Sequence, residues 1–183
     1  GNDAVLRQEA FAGVDAPASG LRIDAVDWGQ TTELGNGVRL HAVPSLHWSA
    51  RGMRDRRHAL WASFVLETPA HRIYCVGDTG FGDGAHFSAI RQRFGVVDLA
   101  LLPIGAYEPR WFMRSQHMNP DDAVAAFELL GAKQALGHHW GTFKLTNEGI
   151  ERPAQDLSNA LAGKGIEPHR FIAARPGAVI DMV

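Results

Sequence analysis

The sequence predicts an α/β protein, a mixed β-sheet with covering helices, and three observations carry that prediction. The apolar run Ile73-Tyr74-Cys75-Val76 stops abruptly on Gly77-Asp78-Thr79-Gly80. Apolar runs of this length, closed by turn residues, read as buried strands of a layered sheet. Before that run, strand-like segments follow one another around turn signals, as antiparallel pairs do. After Gly84 the rhythm changes to apolar strands alternating with helical patterns, which implies a sheet with helices packed on it.

In chain order, residues 1–20 form a polar, Ala- and Gly-rich lead-in with at most a short helix at 5–11. Residues 21–26 are strand-like and are punctuated by Asp27-Trp28-Gly29-Gln30. Glu33-Leu34-Gly35-Asn36-Gly37 is a hairpin signal, because Asn-Gly suits positive φ, and it leads into a strand at 38–43. Residues 59–66 and 71–76 form a second pair joined across Glu67-Thr68-Pro69-Ala70. A helix is expected at 84–94, with Phe87, Ile90 and Phe94 on one side, followed by a continuous apolar strand at 97–104. The helix at 119–130 opens Asn-Pro-Asp-Asp, with a capping side chain, proline in the first turn and acids at the positive end. A brief strand at 135–137, a helix at 153–162 closed by Gly163, and strands at 171–173 and 178–180 complete the expectation. No internal repeat or linker divides the chain, so residues 1–183 are expected to form a single piece.

The composition excludes several classes. The chain has 183 residues, 45% of them apolar, enough for a sizeable core. A net charge of −2 and a pI near 6.5 give no footprint for nucleic acid. The cationic cluster Arg51, Arg54, Arg56 and Arg57 reads as a solvated loop. Cys75 is the single cysteine, so no disulfide framework exists, and its place in a strand favours a buried thiol. No apolar stretch approaches the roughly 18 residues of a membrane span. The first residues, Gly1-Asn2-Asp3, carry neither Met nor a signal-like segment, which leaves the compartment open, with a cytoplasmic or membrane-associated placement favoured.

Four strand-like segments end in polar clusters: 40–44 before His47, 73–76 before Asp78, 99–104 before Glu108, and 134–137 before His138 and His139. Ligands of α/β folds collect at such strand ends. Asp78 alone has four readings. It is a turn carboxylate capping local amides, half of an Asp-Thr-Gly aspartic-protease pair, part of a Gly-rich phosphate loop, or a metal ligand. Gly77 and Phe81 fit the protease poorly, and Ala85 breaks the phosphate-loop spacing. Metal ligation needs imidazole partners, and His47 and His139 supply them. Each follows a strand and precedes a Trp, a bulky wall that can lock the ring. Two nitrogen donors and one carboxylate suit zinc, manganese or iron. His138 is set aside because neighbours on a strand point oppositely. His41, His58, His71, His86 and His169 read as surface or structural.

Longer strings sharpen this. Pro44-Ser45-Leu46-His47-Trp48-Ser49-Ala50-Arg51, Gly77-Asp78-Thr79-Gly80, Tyr107-Glu108-Pro109-Arg110-Trp111-Phe112-Met113, Gln116-His117-Met118-Asn119-Pro120 and His139-Trp140-Gly141-Thr142-Phe143 resemble the metallo-β-lactamase-fold hydrolases. The resemblance is to the branch of N-acylphosphatidylethanolamine-hydrolysing phospholipase D and its bacterial relatives. It implies an αββα sandwich with two zinc ions at one edge of the sheets. By position, His47 resembles a ligand of the first zinc, Asp78 the bridging carboxylate and His139 the last ligand of the second. Gln116 and His117 would bind the substrate phosphate, with Asp78 and His117 serving the chemistry, and Glu108 and Arg110 would shape the loop below. The implied reaction is hydrolysis of a phosphodiester in a small-molecule or phospholipid substrate by water that the metals activate. A lactonase or other ester hydrolase is the alternative on this fold, and a non-catalytic half-domain with an incomplete site is another.

The family's His-x-His-x-Asp-His motif does not occur in the sequence. The chain is therefore expected to be the C-terminal half of the sandwich, inactive by itself and dependent on a missing N-terminal half. An open sheet edge would then favour pairing of copies, so a homo-oligomer is also envisaged.

Overall fold

A computed structural model describes residues 25–50 and 52–182. Within them, seven strands form one sheet in the order of the sequence: β1 (Thr31–Gly35), β2 (Val38–Pro44), β3 (Ala62–Glu67), β4 (Arg72–Cys75), β5 (Leu99–Pro103), β6 (Gln134–His138) and β7 (Phe171–Ile172). The pairings from β1 to β4 are antiparallel and those from β4 to β7 parallel. The fold is the mixed α/β sheet that the sequence predicts. Asn36 and Gly37 both adopt positive φ, 53° and 75°, which a two-residue hairpin between β1 and β2 demands.

The helices are α1 (Ala85–Phe94), the single turn α2 (Arg110–Met113), α3 (Pro120–Leu130) and α4 (Arg152–Lys164). α3 opens with a capping box. The Asn119 side chain accepts from the Asp122 amide, while the Asp122 carboxylate accepts from the Asn119 amide. α1 and α4 pack against α3, and α3 packs on β5, so these three helices form a single layer on one face.

Register separates the two faces. Val65, Tyr74, Ala100, Ala135 and Phe171 lie side by side across five strands under the helices, each at most 1% exposed. Tyr74 meets Phe87 of α1 edge-on, and Phe171 meets Phe127 of α3. The adjacent row, Phe64, Cys75, Leu101, Leu136 and Ile172, points to the other face and is only half-buried. Partial burial raises the Cys75 thiol pKa, in keeping with an inert thiol.

Several expectations change. The strand at 178–180 does not form; those residues join no strand, the Ala178 amide donating instead to the Arg175 carbonyl in a local turn, and the sheet ends at β7. α4 runs past Gly163 and closes at Gly165, whose positive φ of 65° suits a helix end. The strand at 21–26 and the helix at 5–11 fall largely or wholly outside the described residues, and 25–26 are not in a strand. α2 and a short 3₁₀ turn at Pro168–Arg170 were not foreseen. No helix among the described residues is long and apolar enough to cross a membrane.

Candidate metal centre

β2, β4, β5 and β6 run in the same direction, so their carboxyl ends share one edge of the sheet. His47 lies just beyond β2, Asp78 just beyond β4, and His139 directly follows β6. Gln116 and His117 reach the same edge from the segment between α2 and α3. One ligand atom each from His47, Asp78 and His117 lies within 4.8 Å of the other two. His139 Nε2 lies 3.4 Å from Asp78 Oδ1. The His117 ring stands edge-on to His47 at 5.1 Å and 5.5 Å from the His139 ring. All five residues singled out in the sequence therefore converge. The division of labour among them is less simple than expected, because His117, assigned to substrate, brings its ring among the metal-capable donors.

The local chain explains this convergence. Thr79, fully buried, turns its hydroxyl to accept from the Leu46 amide at 2.9 Å, and the Gly80 amide donates to the Leu46 carbonyl at 2.9 Å. These bonds tie the His47 loop to the Asp78 loop. Gly80 lies so close to the Ser115 backbone that a Cβ there would collide with it, which brings the Gln116–His117 segment in as well. Arg110 donates to the His117 carbonyl at 3.0 Å and to the Asp122 carboxylate at 2.6 Å, holding that segment against the start of α3. His139 adopts a positive φ of 63°, a conformation that non-glycine residues hold only under constraint. Trp140 is core, with its indole N–H donating to the Gly137 carbonyl. Trp48 is the wall: its ring is nearly parallel to His47, at 5°.

The electrostatics favour a cation. The His139 contact, followed by the charges of the neighbouring rings, holds the Asp78 carboxyl below its ordinary range, against an opposing burial effect. Reciprocally, Asp78 raises the His139 pKa. Burial dominates at His117 and lowers its pKa to about 4, so the ring is neutral near pH 7. Burial also lowers His138. The His47 Nδ1 sits 2.9 Å from the Trp48 carbonyl, which can only accept. That fixes the proton on Nδ1 and leaves the Nε2 lone pair free, the arrangement of a metal-binding imidazole. His47 Nε2 and His117 Nδ1 are buried, and no described residue partners either of them. Buried ring nitrogens without partners are costly unless something absent from the polypeptide satisfies them. The residues present thus fit a divalent cation, though their chemistry does not choose among zinc, manganese and iron.

Comparison with known proteins places the chain in a family. The beta-lactamase superfamily domain matches residues 3–140. The chain belongs to this superfamily. N-acyl-phosphatidylethanolamine-hydrolyzing phospholipase D 1 of Caenorhabditis elegans is 36% identical over 172 residues, covering 91% of this chain and 48% of the relative. A metal-dependent hydrolase of Pyrobaculum aerophilum is 33% identical over 155 residues, 84% of this chain and 58% of the relative. The chain thus spans about half the length of the first of these relatives. Among solved structures, isothiocyanate hydrolase from Delia radicum gut bacteria superposes with a TM-score of 0.64 at 16% identity, over 84% of this chain and 57% of the other. The metallo hydrolase of Ignicoccus hospitalis gives 0.63 at 20% identity, over 88% of this chain and 61% of the other. At these identities the structures establish the fold alone.

Proposed function

We propose that this chain carries part of the catalytic centre of a metal-dependent phosphodiesterase of the phospholipase D type. The observation that carries the reading is the ring of His47, Asp78 and His117 donors, with two buried ring nitrogens left without partners. The phosphodiester is favoured by the C. elegans relative, whose name specifies that bond. A divalent cation held there would supply a Lewis acid, polarising the scissile group and lowering the pKa of water so that hydroxide is available near neutral pH.

The chain's own residues do the rest. His47, Asp78 and His117 hold the cation, with zinc the first candidate. Asp78 is a carboxylate at neutral pH, and the His139 contact holds it further below its ordinary range. His117, neutral near pH 7, serves as a ligand or hydrogen-bond donor rather than as an acid. Gln116 offers its amide to the non-bridging oxygens of the phosphodiester. A lactone or carboxylic ester is the competing substrate class.

The test is elemental analysis of the purified full-length protein, followed by hydrolysis of bis-p-nitrophenyl phosphate beside a simple lactone. Stoichiometric metal with cleavage of the phosphodiester, both abolished in Asp78→Asn, is the expected result. Cleavage of the lactone alone transfers the assignment to the competing class. Full turnover in Asp78→Asn at full metal occupancy removes Asp78 from the centre.

A further inference from the structure

Trp48 is more than a wall beside His47. Its indole N–H points across 68 positions of sequence to Gln116, 2.5 Å from Oε1. An indole N–H can only donate, so the atom it meets must be the oxygen of the Gln116 amide. The opposite end of that amide, the NH2, is therefore the end left for something else, and no acceptor among the described residues meets it. Gln116 adjoins His117, whose ring stands in the centre. Trp48 is itself held in place: its ring lies nearly parallel to His47, and the Arg56 guanidinium sits 4.5 Å over it.

We propose that Trp48 is a positioning residue that locks the Gln116 side chain with its NH2 turned toward the anionic oxygens of the substrate. The inference rests on the hydrolase reading above and adds to it the device that fixes hydrogen-bond polarity. A glutamine amide free to rotate presents a donor or an acceptor to the same place, and its oxygen would repel a phosphoryl group. One indole donor on the far side removes that ambiguity before substrate arrives, so no reorganisation is needed on binding.

The full-length, metal-loaded protein with 15N-labelled tryptophan tests this, with inorganic phosphate as the probe. The Trp48 indole resonance is expected downfield and slow to exchange, moving to the position of a free indole in Gln116→Ala. Trp48→Phe keeps a ring beside His47 but deletes the donor, and is expected to weaken phosphate binding about fivefold, the worth of one hydrogen bond. In the Gln116→Ala background the same substitution is expected to change binding by less than about 1.5-fold, since nothing remains to orient. A purely structural role would cost the same in both backgrounds, and that result overturns the proposal. Gln116→Glu leaves Trp48 untouched and carries the test should Trp48→Phe fold poorly. It is expected to retain the downfield indole signal while losing phosphate by about tenfold or more, and unchanged phosphate affinity in Gln116→Glu overturns the proposal. A wild-type protein that binds no phosphate also overturns it, whatever esters it cleaves. Coupled phosphate binding without hydrolysis of either ester sinks the hydrolase reading and leaves the orienting role of Trp48 intact.

Discussion

Leu101 and Leu102 are neighbours in β5, yet they belong to different worlds. Leu102 faces the helices and is fully buried, whereas Leu101 belongs to the half-buried row on the opposite face. The same holds for Tyr74 beside Cys75 and for Ala135 beside Leu136. One face of the sheet is a finished core. The other is an apolar row partly open to solvent. The candidate centre stands at the strand ends where both faces run out. Its scaffold is therefore anchored from the helix side, and the residues that hold it can be ranked by how firmly they attach to that side.

The largest effect separates the two leucines. Leu102→Ala deletes a fully buried side chain from a close-packed core, with an expected loss of about 3 kcal/mol in urea unfolding. Leu101→Ala removes apolar surface that is already partly wet, with an expected loss of about 1 kcal/mol. Equal losses would mean that the second face is closed by something in the chain itself, and the comparison would break.

Arg110 comes next, because it is the strut between centre and helix layer. It joins the His117 carbonyl to Asp122 at the start of α3. Arg110→Ala strips a charge-assisted pair and leaves the carbonyl untethered, an expected cost of about 2 kcal/mol. It should also weaken metal affinity, measured by competition with a chelator, although Arg110 is not itself a metal ligand. Lost stability with unchanged metal affinity would show that the His117 segment is held by packing alone.

The legible parts of this molecule were those written locally. The Asn36-Gly37 turn, the Asn119 cap and the run ending at Asp78 each state their structure within a few residues. The strand ends that gather His47, Asp78 and His139 could be read because parallel strands deliver their carboxyl ends to one edge. Residues 178–180 misled because an apolar triplet makes a strand only where a neighbouring edge accepts it. The Trp48 to Gln116 hydrogen bond was invisible, and Arg110, expected from the resemblance to shape the loop below, gave no sign of its partners, since these are chosen by tertiary packing and leave no pattern along the chain. His117 fell between these cases. Its place near the centre followed from the resemblance, but the intimacy of its ring with His47 and Asp78 needed coordinates.

The subtlest test uses protons. Burial depresses His117 to about 4, against about 6.5 for an exposed histidine. As pH falls from about 6.5 toward 4, the unfolded chain takes up a proton that the folded chain refuses, so stability declines through that window and is unaffected above it. His139 works in the other direction. The raised His139 contributes stability that is present below its unfolded pKa and lost as pH rises through its folded one. The lowered Asp78 holds its contribution until pH falls through its folded pKa. His139 therefore masks part of the His117 decline, while Asp78 adds to the loss only at lower pH, and a substitution separates them. In metal-free protein, His117→Gln is expected to reduce the stability lost between pH 7 and pH 5 by about 1 kcal/mol, after allowance for solvent screening. His117 leads directly into Met118, which is fully buried in the helix-side core. If His117→Gln leaves the pH dependence unchanged, the ring is solvated. The burial attributed to the helix side would then stop short of the centre.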